Sequence, residues 1–304
     1  MSARVNVLLS TYNGSTFLQE QLDSILSQSY EKIMLHIRDD GSTDDTPAVL
    51  YQYAGKHANI KVTLGENVGV LQSFFTLLAD ADESCEYYAF SDQDDVWLPE
   101  KLKIAVSELG KRGQEIPLMY CSAVEYVDES LCHIGFSKTP KRIGFGNALV
   151  QNIAVGCTIV INRTARDKVL EFKPKGNFVH DWWLYLFVSA FGEIIFDPRP
   201  CIKYRQHNRN TIGGSPLVIH HLGRRLARFL RHQKKAFKPT EQAQEFMGYY
   251  GKVLNSNSRR LLTSFLASKR SLWHRLIYCM RLGVWRQTII DNILLRILIV
   301  LDIY

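Results

Sequence analysis

The sequence predicts an α/β fold: a mostly parallel sheet with helices on both faces, followed by a basic α-helical C-terminal region. Three observations predict it. Short apolar runs alternate with helix-periodic stretches from about residue 4 to residue 112. The most polar clusters in that part of the chain each follow one of the apolar runs. The charge then changes sign, with 18 Lys+Arg against 26 Asp+Glu in residues 1–200 and 19 against 4 in residues 201–304, so a net of −8 gives way to +15. An acidic body with a basic tail suggests two functions joined end to end. With 46% hydrophobic residues, the 304-residue chain can bury a sizeable core, which excludes global disorder.

Each element has its own signal. "RVNVLLS" (4–10) is a short apolar run that reads as a strand. "FLQEQLDSILSQ" (17–28) places Leu18, Leu22, Ile25 and Leu26 at helical spacing. "IMLHIR" (33–38) is a second strand and "TPAVLYQYAGKH" (46–57) a second helix. "IKVTLG" (60–65), "GVLQSFFTLLADA" (69–81) and "YYAFSD" (87–92) continue the alternation. "PEKLKIAVSELGKR" (99–112) puts Pro99 in the first helical turn, where a missing N–H costs least. Strand, helix, strand at this spacing implies parallel strands covered on both faces. No internal repeat or low-complexity tract interrupts the pattern.

In such a sheet, ligands bind beyond the carboxyl ends of the strands. Three polar clusters fall there: "STYNGS" (10–15), "RDDGSTDDT" (38–46) and "SDQDD" (91–95). Each alone also reads as a turn leading into a helix cap. Together, at one edge of one sheet, they ask for a ligand. Carboxylates alone repel a phosphate. A divalent cation such as Mg²⁺ or Mn²⁺ reverses the sign, because it takes carboxylate and phosphate oxygens together. A phosphate-binding GxxxxGK[ST] loop is absent, and "GFGNAL" (144–149) neither completes a dinucleotide fingerprint nor follows the first strand.

The six cysteines form no CxxC pair, so no zinc or redox motif is visible, and reduced thiols in a cytoplasmic protein are expected. "VNVLL" is too short for a secretory signal.

In order and spacing, "VNVLLSTYNGSTFLQEQLDSILSQSY", "RDDGSTDDT", "ENVGV" and "SDQDDVWLPEKL" resemble the nucleotide-sugar half of the family 2 glycosyltransferases, inverting enzymes of the GT-A fold. The resemblance covers roughly residues 4–215, implying a catalytic domain over 1–215 and a tail over 216–304. It implies that Thr11 and Tyr12 line a base pocket and that Asp40 faces the nucleobase. It also implies that Asp92-Gln93-Asp94 is the DxD motif, with Asp94 a ligand of Mn²⁺ or Mg²⁺, Asp92 nearer the ribose, and Asp95 supporting the metal shell.

Direct displacement at an anomeric carbon requires a base for the acceptor hydroxyl. "NFVHDWWLYLFVSAFG" (177–192) carries His180 and Asp181 just before a very apolar helix. The family places an acidic base here, usually in Glu-Asp; this chain has His-Asp. Asp181 is therefore read as base and His180 as its neighbour, with a helix N-cap as the plain alternative. Trp182 and Trp183 read as a sugar-facing wall, or else as core aromatics. In "IKYRQHNRNTIGG" (202–214), similar enzymes close a segment over the diphosphate. Arg205 is read there as offsetting leaving-group charge and His207 as a further metal ligand. In "QNIAVGCTIVINR" (151–163), which resembles an acceptor-side strand, Asn152 or Gly156 borders the acceptor, unless both serve packing.

The tail differs in character. "HHLGRRLARFLRHQKKAF" (220–237) sets Leu222, Leu226, Phe229 and Leu230 on one face among arginines, as a membrane-surface helix does. No nucleic-acid motif accompanies the charge, so no nucleic-acid partner is expected. "TIIDNILLRILIVLDIY" (288–304) is broken by Asp291, Arg296 and Asp302 and is no membrane span. It reads as an interfacial or a packing helix. The expectation is an enzyme peripheral to the inner face of the cell membrane. By resemblance, it transfers a hexosyl or deoxyhexosyl unit from a UDP- or dTDP-sugar to a glycan on undecaprenyl diphosphate in surface-polysaccharide assembly. The alternatives are a nucleotidyltransferase and a catalytically inactive nucleotide-sugar-binding module.

Overall fold

In the computed structural model, which describes residues 3–207, 239–280 and 283–304, the apolar runs become neighbouring strands. β1 (Val5–Thr11), β2 (Ile33–Asp39), β3 (Ile60–Leu64) and β4 (Tyr87–Ser91) are linked by α1 (Ser15–Leu26), α2 (Thr46–Lys56) and α3 (Val70–Ala79). All four strands are parallel: β1 pairs with β2 and β4, and β2 with β3. β4 is buried at every position and β1 at all but one. Strands covered on both faces read as unbroken apolar runs, which is why their sequence was so clear. On α1, Leu18, Leu22 and Ile25 are fully buried, and so is the polar Gln21.

The chain continues through β5 (Val96–Trp97), α4 (Lys101–Gly110), β6 (Leu118–Ser122), β7 (Glu125–Val127) and β8 (His133–Phe136). Then follow α5 (Phe145–Ala148), β9 (Val160–Asn162), α6 (Arg163–Leu170), α7 (His180–Phe191), β10 (Glu193–Asp197) and β11 (Ile202–Arg205). Pro99 stands in the turn ahead of α4 and not in its first turn, a correction of the sequence expectation. The main sheet has the order β10-β6-β9-β4-β1-β2-β3. β9 alone runs against its neighbours β4 and β6. The expected strand over 151–163 is short, because a 3-10 turn at Gly156–Thr158 precedes β9. A second sheet, β5-β11-β7-β8, lies at the carboxyl end of β4. Pairing of β11 with β5 and β7 brings residues 205–207 beside the "SDQDD" turn.

Four helices complete the described chain: α8 (Pro239–Tyr250), α9 (Ser256–Ala267), α10 (Leu272–Met280) and α11 (Ile289–Val300). Asn255 and Thr288 cap α9 and α11 by accepting from the N–H groups of Ser258 and Asp291. Phe246, Tyr250, Phe265 and Leu298 join Phe74, Trp183 and Phe187 in one buried cluster, so these helices share a core with α3 and α7. The opposite face of the sheet buries Val7, Leu9, Leu22, Ile25 and Leu102. The expected basic helix at 220–237, and the boundary at residue 216, lie outside the described residues.

Gly192 joins α7 to β10 with extended backbone. A Cβ at this position would lie 1.7 Å from the carbonyl oxygen of Pro117. Backbone cannot swing aside like a side chain, so Gly192→Ala is expected to destabilise the fold by about 1–3 kcal/mol. The corresponding fall in Tm is on the order of 5 °C by calorimetry. An unchanged Tm would contradict the tight α7–β10 junction.

Candidate active site

The three polar clusters meet at the carboxyl ends of β1, β2 and β4, and they brace one another. The N–H of Asn13 donates to Ser42 Oγ at 2.8 Å, and Asn13 Oδ1 accepts from the Thr43 N–H at 2.8 Å. The Gly14 N–H donates to Thr46 Oγ1 at 2.9 Å. Ser15 Oγ donates to Asp44 at 2.8 Å. Asp39 accepts from the N–H of Ser42 at 2.9 Å and from its hydroxyl, which fixes the second loop. The turn and cap residues therefore do serve local structure, and that structure frames one polar site.

The middle residue of the DxD turn ties it to β1. Gln93 Oε1 accepts from Thr11 Oγ1 at 2.6 Å and from the Tyr12 N–H at 2.8 Å. Its Nε2 donates back to the Tyr12 carbonyl at 3.2 Å. The contact needs a glycine at 14, where a Cβ would sit 2.2 Å from Gln93 Oε1. Thr11 is thus buried and engaged, while the Tyr12 side chain stands 47% exposed at the rim. From below, the amide of Gln21 reaches the turn. Its nitrogen faces the Asp95 carbonyl, and its oxygen accepts from Ser91 Oγ at 2.7 Å and Trp97 Nε1 at 3.2 Å.

Asp40 is occupied internally. One carboxylate oxygen accepts from Arg38 and from the Val68 N–H, and the other accepts from the Gly69 N–H at 2.9 Å. Asp40 so clamps the "ENVGV" loop and the start of α3 to the end of β2. It is 4% exposed, so what it does here is hold that loop. Arg205 is likewise a brace. It is 1% exposed; its N–H donates to Asp95 Oδ1 at 3.1 Å and its Nε to the Asp94 carbonyl at 2.9 Å. Its guanidinium also reaches the Glu129 carbonyl and the Glu20 carboxylate, and covers the Phe17 ring. The expectation of a cation facing the leaving group meets a guanidinium spent on the DxD turn.

Burial and neighbouring charge raise two of the carboxylates, Asp92 and Asp95. Asp92 is pushed up to about 7, by burial first and then by the charges of Asp94 and Asp181. Asp95 is held well above the ordinary range, again by burial first and by Asp94 and Asp92 next. Among the described residues its Oδ2 is buried without a hydrogen-bond partner. His207 Nε2 lies 2.8 Å from Asp94 Oδ2, so the two residues expected to share a metal are in contact. One oxygen each from Asp92 and Asp95 and the thiol of Cys157 fall within 4.8 Å of one another. Crowded carboxylates, an orphaned buried oxygen and an adjacent imidazole suit a hard divalent cation.

Asp181 lies in the first turn of α7, but Val179 is its N-cap residue. Asp181 is therefore not the N-cap residue, although it satisfies one first-turn N–H. Asp181 Oδ1 accepts from the Trp182 N–H at 2.6 Å. The Asn152 side chain and the Gly156 N–H face this carboxyl, so the 151–156 segment borders it. Burial nevertheless outweighs these contacts and pushes Asp181 up to about 6, although the residue is only half-buried. His180 is a buried, neutral ring between Phe74 and Phe90, with centroids at 3.9 and 5.6 Å, and burial pushes it down to about 3. Trp183 corrects the sugar-wall reading: it is 0% exposed and stacks in the core on Phe178. Trp182 is half-buried, and its Nε1 donates to the Ala148 carbonyl at 2.6 Å.

The Asp181 charge is close enough to act on Asp92. A cation-type carboxylate cluster and the Asp181 carboxyl thus lie near one another at one edge of a mostly parallel sheet. The sequence profile described as "Glycosyl transferase family 2" matches residues 6–171, more than half of the chain. The chain belongs to glycosyl transferase family 2. Relatives of this family 2 transferase include the dTDP-rhamnosyl transferase RfbG of Shigella flexneri, 29% identical over 68% of this chain and 74% of that protein. Another is the UDP-Glc:alpha-D-GlcNAc-diphosphoundecaprenol beta-1,3-glucosyltransferase WfgD of Escherichia coli, 29% identical over 66% of this chain and 76% of that protein. Among solved structures, Staphylococcus aureus TarS 1-349 in complex with UDP-GlcNAc superposes with a TM-score of 0.56 at 15% identity, covering 99% of this chain and 89% of that one. The mannosyltransferase PcManGT of Pyrobaculum calidifontis, in complex with GDP-Man and Mn²⁺, gives 0.56 at 19% identity, covering 100% and 81%. These likenesses show the GT-A fold of the family 2 transferase.

Sequence reasoning missed Gln21, Gln93 and Cys157. Gln21 carried a signal: it is a polar residue inside the Leu18-Leu22-Ile25 stripe of α1. Gln93 was visible only as the variable position of the motif, and Cys157 only as a lone thiol.

Proposed function

We propose that the protein transfers a hexosyl or deoxyhexosyl unit, with inversion, from a nucleoside-diphosphate sugar to a glycan carried on undecaprenyl diphosphate, in bacterial surface-polysaccharide assembly. The observation that carries this is the convergence of the Asp92–Asp95 carboxylates and Asp181 in one cleft, close enough for Asp181 to raise Asp92. The names of the rhamnosyl and glucosyl relatives support the donor class, and the diphosphoundecaprenol in one of them supports the acceptor.

In this reading Thr11 and Tyr12 border the base, and Asp92 the ribose side. Mn²⁺ or Mg²⁺, held by Asp94 and His207 with Asp92 and Asp95 beside them, would supply positive charge to the donor diphosphate. Asp181 takes the proton of the acceptor hydroxyl as its oxygen bonds to C1. The bond from C1 to the diphosphate oxygen breaks, and the nucleoside diphosphate leaves with that electron pair. Asn152 and Gly156 hold the Asp181 carboxylate, and His180 fills the apolar wall behind it without a charge of its own. Arg205 and Gln93 keep the DxD turn in register with β1. No described helix is long and apolar enough to cross a membrane. A lipid-linked acceptor therefore calls for an enzyme seated on the cytoplasmic face of the membrane.

The test is incubation with UDP-glucose, UDP-galactose and dTDP-rhamnose, with and without chelator, on a lipid-linked acceptor. The expected result is acceptor-dependent release of nucleoside diphosphate from one donor, abolished by chelator. Formation of nucleoside triphosphate and sugar 1-phosphate when pyrophosphate is added would indicate a nucleotidyltransferase, and donor binding without any release an inactive module.

A further inference from the structure

We propose that the outer faces of α10 and α11 together form a docking surface for an anionic membrane leaflet. On α10, Trp273, Leu276 and Met280 recur at i, i+3, i+7, and on α11, Ile290, Ile293 and Ile297 do the same. All six are exposed, Trp273 by 75%, Met280 by 76% and Ile290 by 57%. The inner faces are spent differently: Tyr278 on α10 and Leu295, Leu298 and Ile299 on α11 are buried in the core. Two consecutive, mutually packed helices are therefore each apolar on both sides, and among the described residues only one side of each is covered. Soluble monomers seldom leave so many large apolar side chains contiguous and bare, and such patches mark interfaces.

Charge decides which interface. Residues 239–304 hold 9 Lys+Arg and 4 Asp+Glu. One of the four acids, Asp302, is already paired with Lys269 at 2.7 Å and Arg275 at 2.9 Å. Arg296 is exposed on α11 between Ile293 and Ile297, and Arg270 is exposed just ahead of α10. Residues 208–238 add eight Lys+Arg and no acid. A second copy would bring the same positive field against itself. An anionic leaflet is complementary, and each basic residue near it contributes about 1 kcal/mol. Trp273 suits the headgroup level, where indole rings concentrate. With 12 residues, α11 is about 18 Å long, so it lies along the interface and does not cross it.

The surface is fastened to the catalytic side. Between the two helices, the Gln287 N–H donates to Gln151 Oε1 at 2.9 Å, and Gln287 Oε1 accepts from the Lys141 N–H at 2.8 Å. Asn147 Nδ2 donates to the Trp285 carbonyl at 3.0 Å, and Arg142 covers the Trp285 ring. The 141–151 segment so held runs straight into Asn152 and Gly156, which border Asp181. On the proposed reading of a lipid-linked acceptor, membrane seating sets the height of the base.

The experiment is flotation of the full chain with vesicles of neutral phosphatidylcholine, or of phosphatidylcholine with phosphatidylglycerol, alongside the triple variant Trp273→Glu, Ile293→Glu, Ile297→Glu. These positions are exposed, so the variant is expected to fold, checked by an unchanged Tm. The expected result is flotation of the parent with anionic vesicles and at least tenfold weaker binding by the variant, with turnover on a short water-soluble acceptor retained. Loss of binding in the variant supports the docking face even if no sugar donor is turned over, in which case it is the functional reading that fails. Equal flotation of both proteins, a parent that does not float, or a parent dimer that the variant dissociates in sedimentation would each overturn the proposal.

Discussion

Asp181→Asn is expected to lower turnover by about 10²–10⁴-fold, roughly 3–5 kcal/mol of barrier, with donor binding nearly unchanged. The amide oxygen can still accept from the Trp182 N–H, so the local geometry survives. Because Val179 and not Asp181 is the N-cap residue of α7, little stability should be lost. The native enzyme should also show an acidic limb. In the proposed role Asp181 must be deprotonated, and burial pushes it up to about 6. Below that pH, kcat/KM should fall about tenfold per unit. A steady-state pH profile measures this, and the variant should lose the limb together with the rate. A variant that loses stability but keeps its rate would return Asp181 to a structural role.

Asp94→Asn is expected to be nearly as severe, on the order of 100-fold or more in turnover, because a neutral amide is a poor ligand for a hard cation. It also removes the carboxylate facing His207 at 2.8 Å. The readout that does not depend on turnover is calorimetric binding of Mn²⁺ with nucleoside diphosphate, which should weaken to the same degree in the variant. In the native protein, metal affinity should rise with pH up to about 7, since burial and like charges leave Asp92 partly protonated below that value. Full activity in Asp94→Asn, or in excess chelator, would remove the metal from the mechanism.

The first half of the fold was legible because its strands are covered on both faces. "VNVLLST" and "YYAFS" are apolar runs for the same reason that they are central in the sheet. The later strands were not legible. β5 has 2 residues and β7 has 3, too few for any period to show. β9 enters between β4 and β6 against their direction, a pairing set by residues far apart in the chain. In the site, the sequence pointed to Asp92, Asp94, Asp181 and His207, and the structure brings them to one cleft. It could not tell a carboxylate facing a ligand from one facing its own chain, and Asp40, bound by Arg38 and the start of α3, is of the second kind. Trp183 failed as a wall residue because α7 is apolar nearly all round, so no stripe marks which indole faces the core. The C-terminal helices carried the same ambiguity: the packing reading of 288–304 describes the buried inner face of α11, while the outer face is exposed.

The most direct test of Asp181 acting as base in a single displacement is the configuration at C1 of the product sugar. It is read from the one-bond C1–H1 coupling by NMR on product from the donor that is turned over. The account predicts a configuration opposite to that of the donor in all of the product. Retention would require a covalent intermediate or attack from the leaving-group side, and would contradict direct displacement with Asp181 as base.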